Sequence, residues 1–197
     1  RELERELADA GDVVSGRLEL GSSTGPGEVL LPRILAAFRE AHPDVFVSLV
    51  VHDTQTVCER VLAGGLELGI VGASLPHRGP GFTTFLRDEL VLVVPPDHAV
   101  ATAETVTLAQ VATLALIQQQ RGGGVRAVLD DAFRAAGLRP ADVNMVMELG
   151  LQQSVKAAVL DGAGATVLSP LAVAEEVAAG RLVTIPIADP GLVRHFS

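Results

Sequence analysis

The stretch Val45–Val51, VFVSLVV, limits the possible folds more than any other part of the chain. It is apolar at every position but Ser48, so a strand made from it needs cover on both faces. That is the situation of a parallel sheet between layers of helix. Its neighbours supply the layers. Upstream, the strand Leu18–Gly21 runs through the turn Ser22-Ser23-Thr24 and Gly25-Pro26-Gly27 into a helix over Gly27–Ala41. Leu31, Ile34, Leu35 and Phe38 of that helix share one face, and His42-Pro43-Asp44 stops it. Pro32 removes a backbone donor early, which predicts a late start or a mild kink. Downstream, Thr54 is placed to cap a helix carrying Val57, Val61 and Leu62 inward, closed by Gly64-Gly65, and Leu66–Val71 is a third strand. A βαβαβ order of this kind implies a parallel sheet with right-handed crossovers.

The layout then repeats without repeating the sequence. A Gly-, Pro- and His-rich loop, 72–81, precedes strands at Phe82–Phe85 and Glu89–Val94 on either side of Arg87-Asp88, and Pro95-Pro96 marks a boundary. Beyond it come a short helix Thr107–Ala112, a strand Leu114–Gln118, and a loop QRGGGVR opening the helix Val125–Ala136. Next are a strand Val143–Leu149, a helix Gln152–Leu160, and a strand Ala165–Leu168 ended by Ser169-Pro170. A helix Leu171–Ala179 and a strand Leu182–Ile187 follow. Two α/β halves imply a cleft, with ligands beyond the carboxyl ends of the strands. The positions that fall there are Ser22–Thr24, His52–Thr54, Gly72, Gln118–Gly124, Glu148–Leu151 and Ser169.

The chemistry of the residues narrows the function classes. The 197-residue chain has a formal net charge of −9, and its closest approach to a basic cluster is Arg121 with Arg126. Phosphate neutralisation needs clustered Lys and Arg, so direct nucleic-acid binding by this chain is not expected. Cys58 is the single cysteine, and His42, His52, His77, His98 and His195 are scattered without metal-ligand spacing, so neither disulfide, metal nor cofactor is expected. No apolar run approaches a membrane span. The opening RELERELADAG is charged and helical, unlike an export signal, which fits a cytoplasmic protein. Neither Ser22 nor Ser169 stands in a nucleophile elbow, and Glu28, Glu67 and Glu148 have no evident acid or base partner, so the expectation is a binding module and not an enzyme.

From Gly16 to Ser197 the chain resembles the effector-binding domain of LysR-type transcriptional regulators. The resemblance rests on the order and spacing of SSTGPGEVLLPRILAAFREAHP, VCERVLAGGLELGIV, DELVLVVPPDHAV, GGGVRAVLDDAF and KAAVLDGAGATVLSP. It implies an α/β fold of two Rossmann-like subdomains with a cleft between them, like type II periplasmic-binding proteins. Residues 1–15 would end a dimerising linker helix, 16–94 with 188–197 would form the first subdomain, and 95–187 the second. It further implies a small effector in the cleft, a homodimer or homotetramer, and DNA contact only through an absent N-terminal winged helix-turn-helix. Contacts would come from Ser22, Ser23, Thr24, Thr54 and Gly72 on one wall, and from Gln118, Gly123, Val125, Leu151 and Ser169 on the other. The family commonly reads Ser-Gly-Thr-Arg where this chain has Gly123-Gly124-Val125-Arg126, and often has Ser where Leu151 stands. The loss of those hydroxyls suggests an organic acid, its carboxylate at Ser22–Thr24 and its less polar body against Val125 and Leu151. A free-standing solute-binding protein of the same fold is the alternative, and a small α/β enzyme the third reading.

Overall fold

The computed structural model describes residues 14–72, 81–188 and 192–197. The linker-helix reading of residues 1–11 and most of the loop 72–81 lie outside them. Strand β1 (Gly16–Ser23) is the centre of a parallel sheet, with β2 (Val45–His52) on one side and β3 (Leu68–Ile70) on the other. The connections are helices α1 (Thr24–Val29), α2 (Leu31–Ala41) and α3 (Thr54–Leu62).

Local chemistry explains where these elements depart from the sequence reading. The first helix begins at Thr24, three residues early, because Pro26 falls in its first turn, where a missing N–H breaks no helical bond. The helix is interrupted at Leu30, and Pro32 takes the same tolerated place in the first turn of α2. Asp53, not Thr54, caps α3: its carboxylate accepts from Thr56 N at 2.9 Å and from Thr56 Oγ1 at 2.7 Å. Strand β2 is not covered on both faces. It is the outermost strand of its sheet, and Phe46 and Val51 are 59% and 43% exposed.

The chain then crosses between sheets. Arg87-Asp88, read from sequence as a break between strands, lies inside strand β4 (Leu86–Glu89), while residues 82–85 form no strand. Strand β5 (Val91–Val94) continues into a second sheet. It is flanked there antiparallel by β8 (Thr166–Leu168) and β9 (Val183–Ile185), although Pro95-Pro96 had suggested grouping it with the first half. Strand β6 (Leu116–Gln119) runs parallel to β7 (Met145–Leu149) and is bridged to the β8 side through Leu116 and Ala165. Gly164 permits that bridge: it has φ +155°, and a Cβ there would lie 2.2 Å from the carbonyl oxygen of Ala115. Helices α4 (Leu108–Thr113), α5 (Gly124–Ala135), α6 (Gln152–Leu160) and α7 (Ala174–Ala178) cover the sheet. The helix expected over Leu171–Ala179 is split by a 3-10 turn at Pro170–Ala172.

Alternation along the central strands sorts this second core into two layers. Leu92, Val94 and Leu116 pack with Val125, Leu129 and Phe133 of α5. Val93 and Ile117 face the other way, onto Val155 and Val159 of α6. The chain returns through β10 (Val193–Phe196), antiparallel to β4, and Ser197 exchanges backbone bonds with Val71 at 2.9 and 3.0 Å. The β4–β10 ribbon therefore joins the two halves.

Candidate functional site

Arg194 and Asp88 face each other across that ribbon. Arg194 Nε donates to Asp88 Oδ2 at 2.7 Å, and both side chains are 2% exposed. The other oxygen, Oδ1, accepts from Ser169 Oγ at 2.7 Å, and Ser169 Oγ in turn accepts from Leu171 N at 3.2 Å. The guanidinium stacks 4.7 Å from the Phe196 ring centroid. Burial pulls the Arg194 pKa below its ordinary value, and the neighbouring Asp88 charge pulls it back up. Among the described residues, Nη2 is buried without any hydrogen-bond partner.

Three glycines let the backbone close around this guanidinium. A Cβ on Gly25 would come within 2.8 Å of Nη1, and one on Gly72 or Gly124 would lie at 3.6 Å. Gly25 is in the first turn of α1, and Gly124 opens α5, so two helix N-termini approach one cation. Neither end is capped by a side chain. The cap position of α1 is Ser23, but its hydroxyl is spent on Gly72 N at 3.0 Å, fastening β1 to the end of β3. Leu151 gives α6 no cap of its own, but the Glu28 carboxylate accepts from the Gln153 backbone in its first turn, and α1 packs on both α5 and α6. The first-turn N–H groups of uncapped helices, with their dipoles, favour an anion.

The sequence-derived positions divide into those the fold gathers and those it does not. Ser23, Gly72 and Ser169 converge on Arg194 and Asp88 directly or through one hydrogen bond. Gly123 is the cap residue of α5, adjoining Gly124. Thr24 opens α1 and Thr54 opens α3, both half-buried. Gln118 is buried with Oε1 unpartnered among the described residues. Three other positions are used differently. Ser22 is fully buried and its hydroxyl lies 2.9 Å from the carbonyl oxygens of Ile70 and Ser23, so its proton stays in the sheet. Val125 packs inward on the core of the second half. Leu151 is 58% exposed. Arg126 is held by both oxygens of Asp130 at 2.8 Å and by Glu148 at 3.3 Å, while His52 Nε2 lies 3.1 Å from Arg60 Nη1.

Sequence reading passed over Arg194, Asp88 and Gln152, the last of which is 1% exposed with both amide atoms unpartnered among the described residues. One signal was available. Arg194 shares a strand face with Leu192 and Phe196, and a cation on an apolar face demands a partner. Cavities of some size lie elsewhere. One of about 510 Å³ is lined by Gln118, Arg126 and Phe133, and an apolar one of about 460 Å³ by Cys58, Ile70 and Phe85. A groove of about 270 Å³ runs between the halves, with Glu28 and Pro32 on one side and Lys156 and Glu176 on the other. Among the described residues no group of three His, Cys, Asp or Glu is placed to hold a metal ion. No helix among them is long and apolar enough to cross a membrane.

Comparison with known proteins places this architecture. Residues 11–197 match the family model described as LysR substrate binding domain. A "Phosphonates import ATP-binding protein PhnC" of Anaeromyxobacter dehalogenans (strain 2CP-C) is 37% identical over 182 residues, 91% of this chain and 36% of that protein. A "Probable RuBisCO transcriptional regulator" of Cyanophora paradoxa is 31% identical over 194 residues, 97% of this chain and 60% of that protein. The chain thus spans well under two thirds of either relative. Among solved structures, the CcmR regulatory domain of Synechocystis PCC6803 in complex with 2-PG superposes with a TM-score of 0.80 at 27% identity, over 92% of this chain and 86% of that one.

Proposed function

The chain belongs to the LysR substrate-binding domain family, and from that premise we propose that it senses a small organic acid or anion held between its two subdomains. One observation carries the reading: the N-terminus of α5, without a side-chain cap, meets α1 at the carboxyl ends of the strands, where open α/β sheets bind ligands. The names of the similar proteins agree in kind, since 2-PG and phosphonates are both oxyanions. In the longer protein, ligand binding biases the angle between subdomains and so the geometry of a homodimer or homotetramer. DNA contact then belongs to an N-terminal winged helix-turn-helix outside this chain. The protein works in the cytoplasm as a sensor and not as a catalyst.

Specific retention of a promoter fragment by the full-length protein, and not by this acidic chain alone, decides for the regulator. Ligand binding is tested by titration calorimetry with shikimate, 2-PG, methylphosphonate and sulfate. At least one of the organic acids binds the wild type. Thr24→Ala, at the mouth of α1, weakens it by about 1.5–3 kcal/mol, the value of a hydrogen bond to a charged group. Binding of sulfate alone, indifferent to Thr24→Ala, would show that the site lies elsewhere.

A further inference from the structure

Resting on that reading of the cleft, we propose that Arg194 is the residue that receives the ligand's anionic group, on the fork formed by Nη1 and Nη2. The ligand class is then an acid with a compact oxyanion seated on the ribbon between the halves, and not one held by the Ser22 and Ser23 hydroxyls.

A guanidinium has five N–H donors in a fixed plane, and among the described residues this one spends a single donor, Nε, on Asp88. The other oxygen of Asp88 accepts from Ser169 and not from Arg194. The Phe196 ring covers a face of the guanidinium, and Nη2 in its plane is buried without a hydrogen-bond partner among the described residues. The free end is the edge that pairs bidentately with carboxylates and phosphates. Glycine backbone approaches Nη1 on three sides, and a Cβ at Gly25, Gly72 or Gly124 would lie 2.8, 3.6 and 3.6 Å from it. Arg194 is neutralised by Asp88, but the first turns of α1 and α5 add two positive helix ends, so the local balance calls for an anion. Gly25 and Gly124 belong to opposite walls, so an oxyanion on the fork touches both subdomains and their connecting ribbon at once. Ligand occupancy therefore couples directly to the angle between the halves.

Calorimetry with 2-PG, shikimate and inorganic phosphate on the wild type, Arg194→Gln and Gly124→Ala tests the assignment. Arg194→Gln removes charge-assisted bonds and lowers affinity about 10- to 150-fold. Gly124→Ala is the safeguard against misfolding. Its Cβ fits, 3.6 Å from Nη1 and 4.0 Å from Gly72 O, so the unfolding midpoint holds while the methyl fills the oxyanion's place. Affinity then falls by about tenfold or more. If a probe binds the wild type and both variants equally, the assignment to Arg194 is wrong and the cleft reading survives. If no probe binds the wild type, both fall.

Discussion

At the scale of single residues, the Asp88–Arg194 pair is the most consequential contact among the described residues, because both charges are withdrawn from water. Replacing such a pair by apolar groups can be neutral, but removing one partner strands the other charge. Asp88→Asn is therefore expected to cost about 3–5 kcal/mol of folding stability, read from urea unfolding. Ser169→Ala, which removes one hydrogen bond to the same carboxylate, should cost about 1.5–3 kcal/mol. Equal, small effects of the two would mean that water reaches Arg194. The apolar face of Arg194 asks for a partner, but which partner was invisible in sequence for a physical reason. The members of the cluster lie 81 and 106 residues apart and meet only through the pairing of β4 with β10, which no local periodicity encodes. Ser22 shows the converse. A Ser-Ser-Thr turn before a helix is a sound local signal for ligand contact, but which hydroxyl faces the ligand depends on the strand's pleat, and Ser22 turns into the sheet.

At the scale of elements, the alternation of strands and helices was legible because each carries its own period and stop signals. The helix Gln152–Leu160 was read to the residue. Errors concentrate where tertiary pairing overrides local pattern. Arg87-Asp88 reads as a polar interruption and lies within a strand only because β10 is beside it. Helix α1 carries a prediction of its own. Glu28 faces the groove against α6, and burial raises its carboxyl pKa above the ordinary 4.5, with the Gln153 backbone and the Lys156 charge opposing. Its Oε2 has no partner among the described residues. A folded-state pKa raised above the unfolded value means that the folded chain holds the proton longer. The stabilisation from Glu28 is thus complete below pH 4.5 and lost as pH rises through the raised value. Glu28→Gln should match the wild type at low pH, exceed its stability at pH 7, and flatten the profile between. A variant less stable than the wild type at pH 7 would mean that the Glu28 charge is bound by Lys156 and not merely buried.

At the scale of the whole molecule, the two-subdomain α/β plan expected from sequence is the plan observed, and its exposed edges point to assembly. The sequence argued that Val45–Val51 must be covered on both faces, and within one chain it is not, because β2 is the outermost strand of its sheet. Phe46 and Val51 stay exposed there, as does Ile34 of α2. At the far end of the second sheet β7 is likewise outermost, with Val146 and Met147 49% and 37% exposed. A long apolar edge strand left bare is an aggregation hazard, and two at opposite ends of one chain can be covered together by a second copy. A twofold axis makes that contact self-complementary: the β2 edge of one copy meets the β7 edge of the other, twice. This chain should therefore sediment as a homodimer at micromolar concentration. Val146→Lys places a charge in each of the two equivalent contacts without touching either core, so it should yield a monomer with the unfolding midpoint of the dissociated wild type. A wild type that sediments as a monomer from micromolar to near-millimolar concentration would sink the assembly, and the unmet demand of Val45–Val51 would have to be answered by a segment outside this chain.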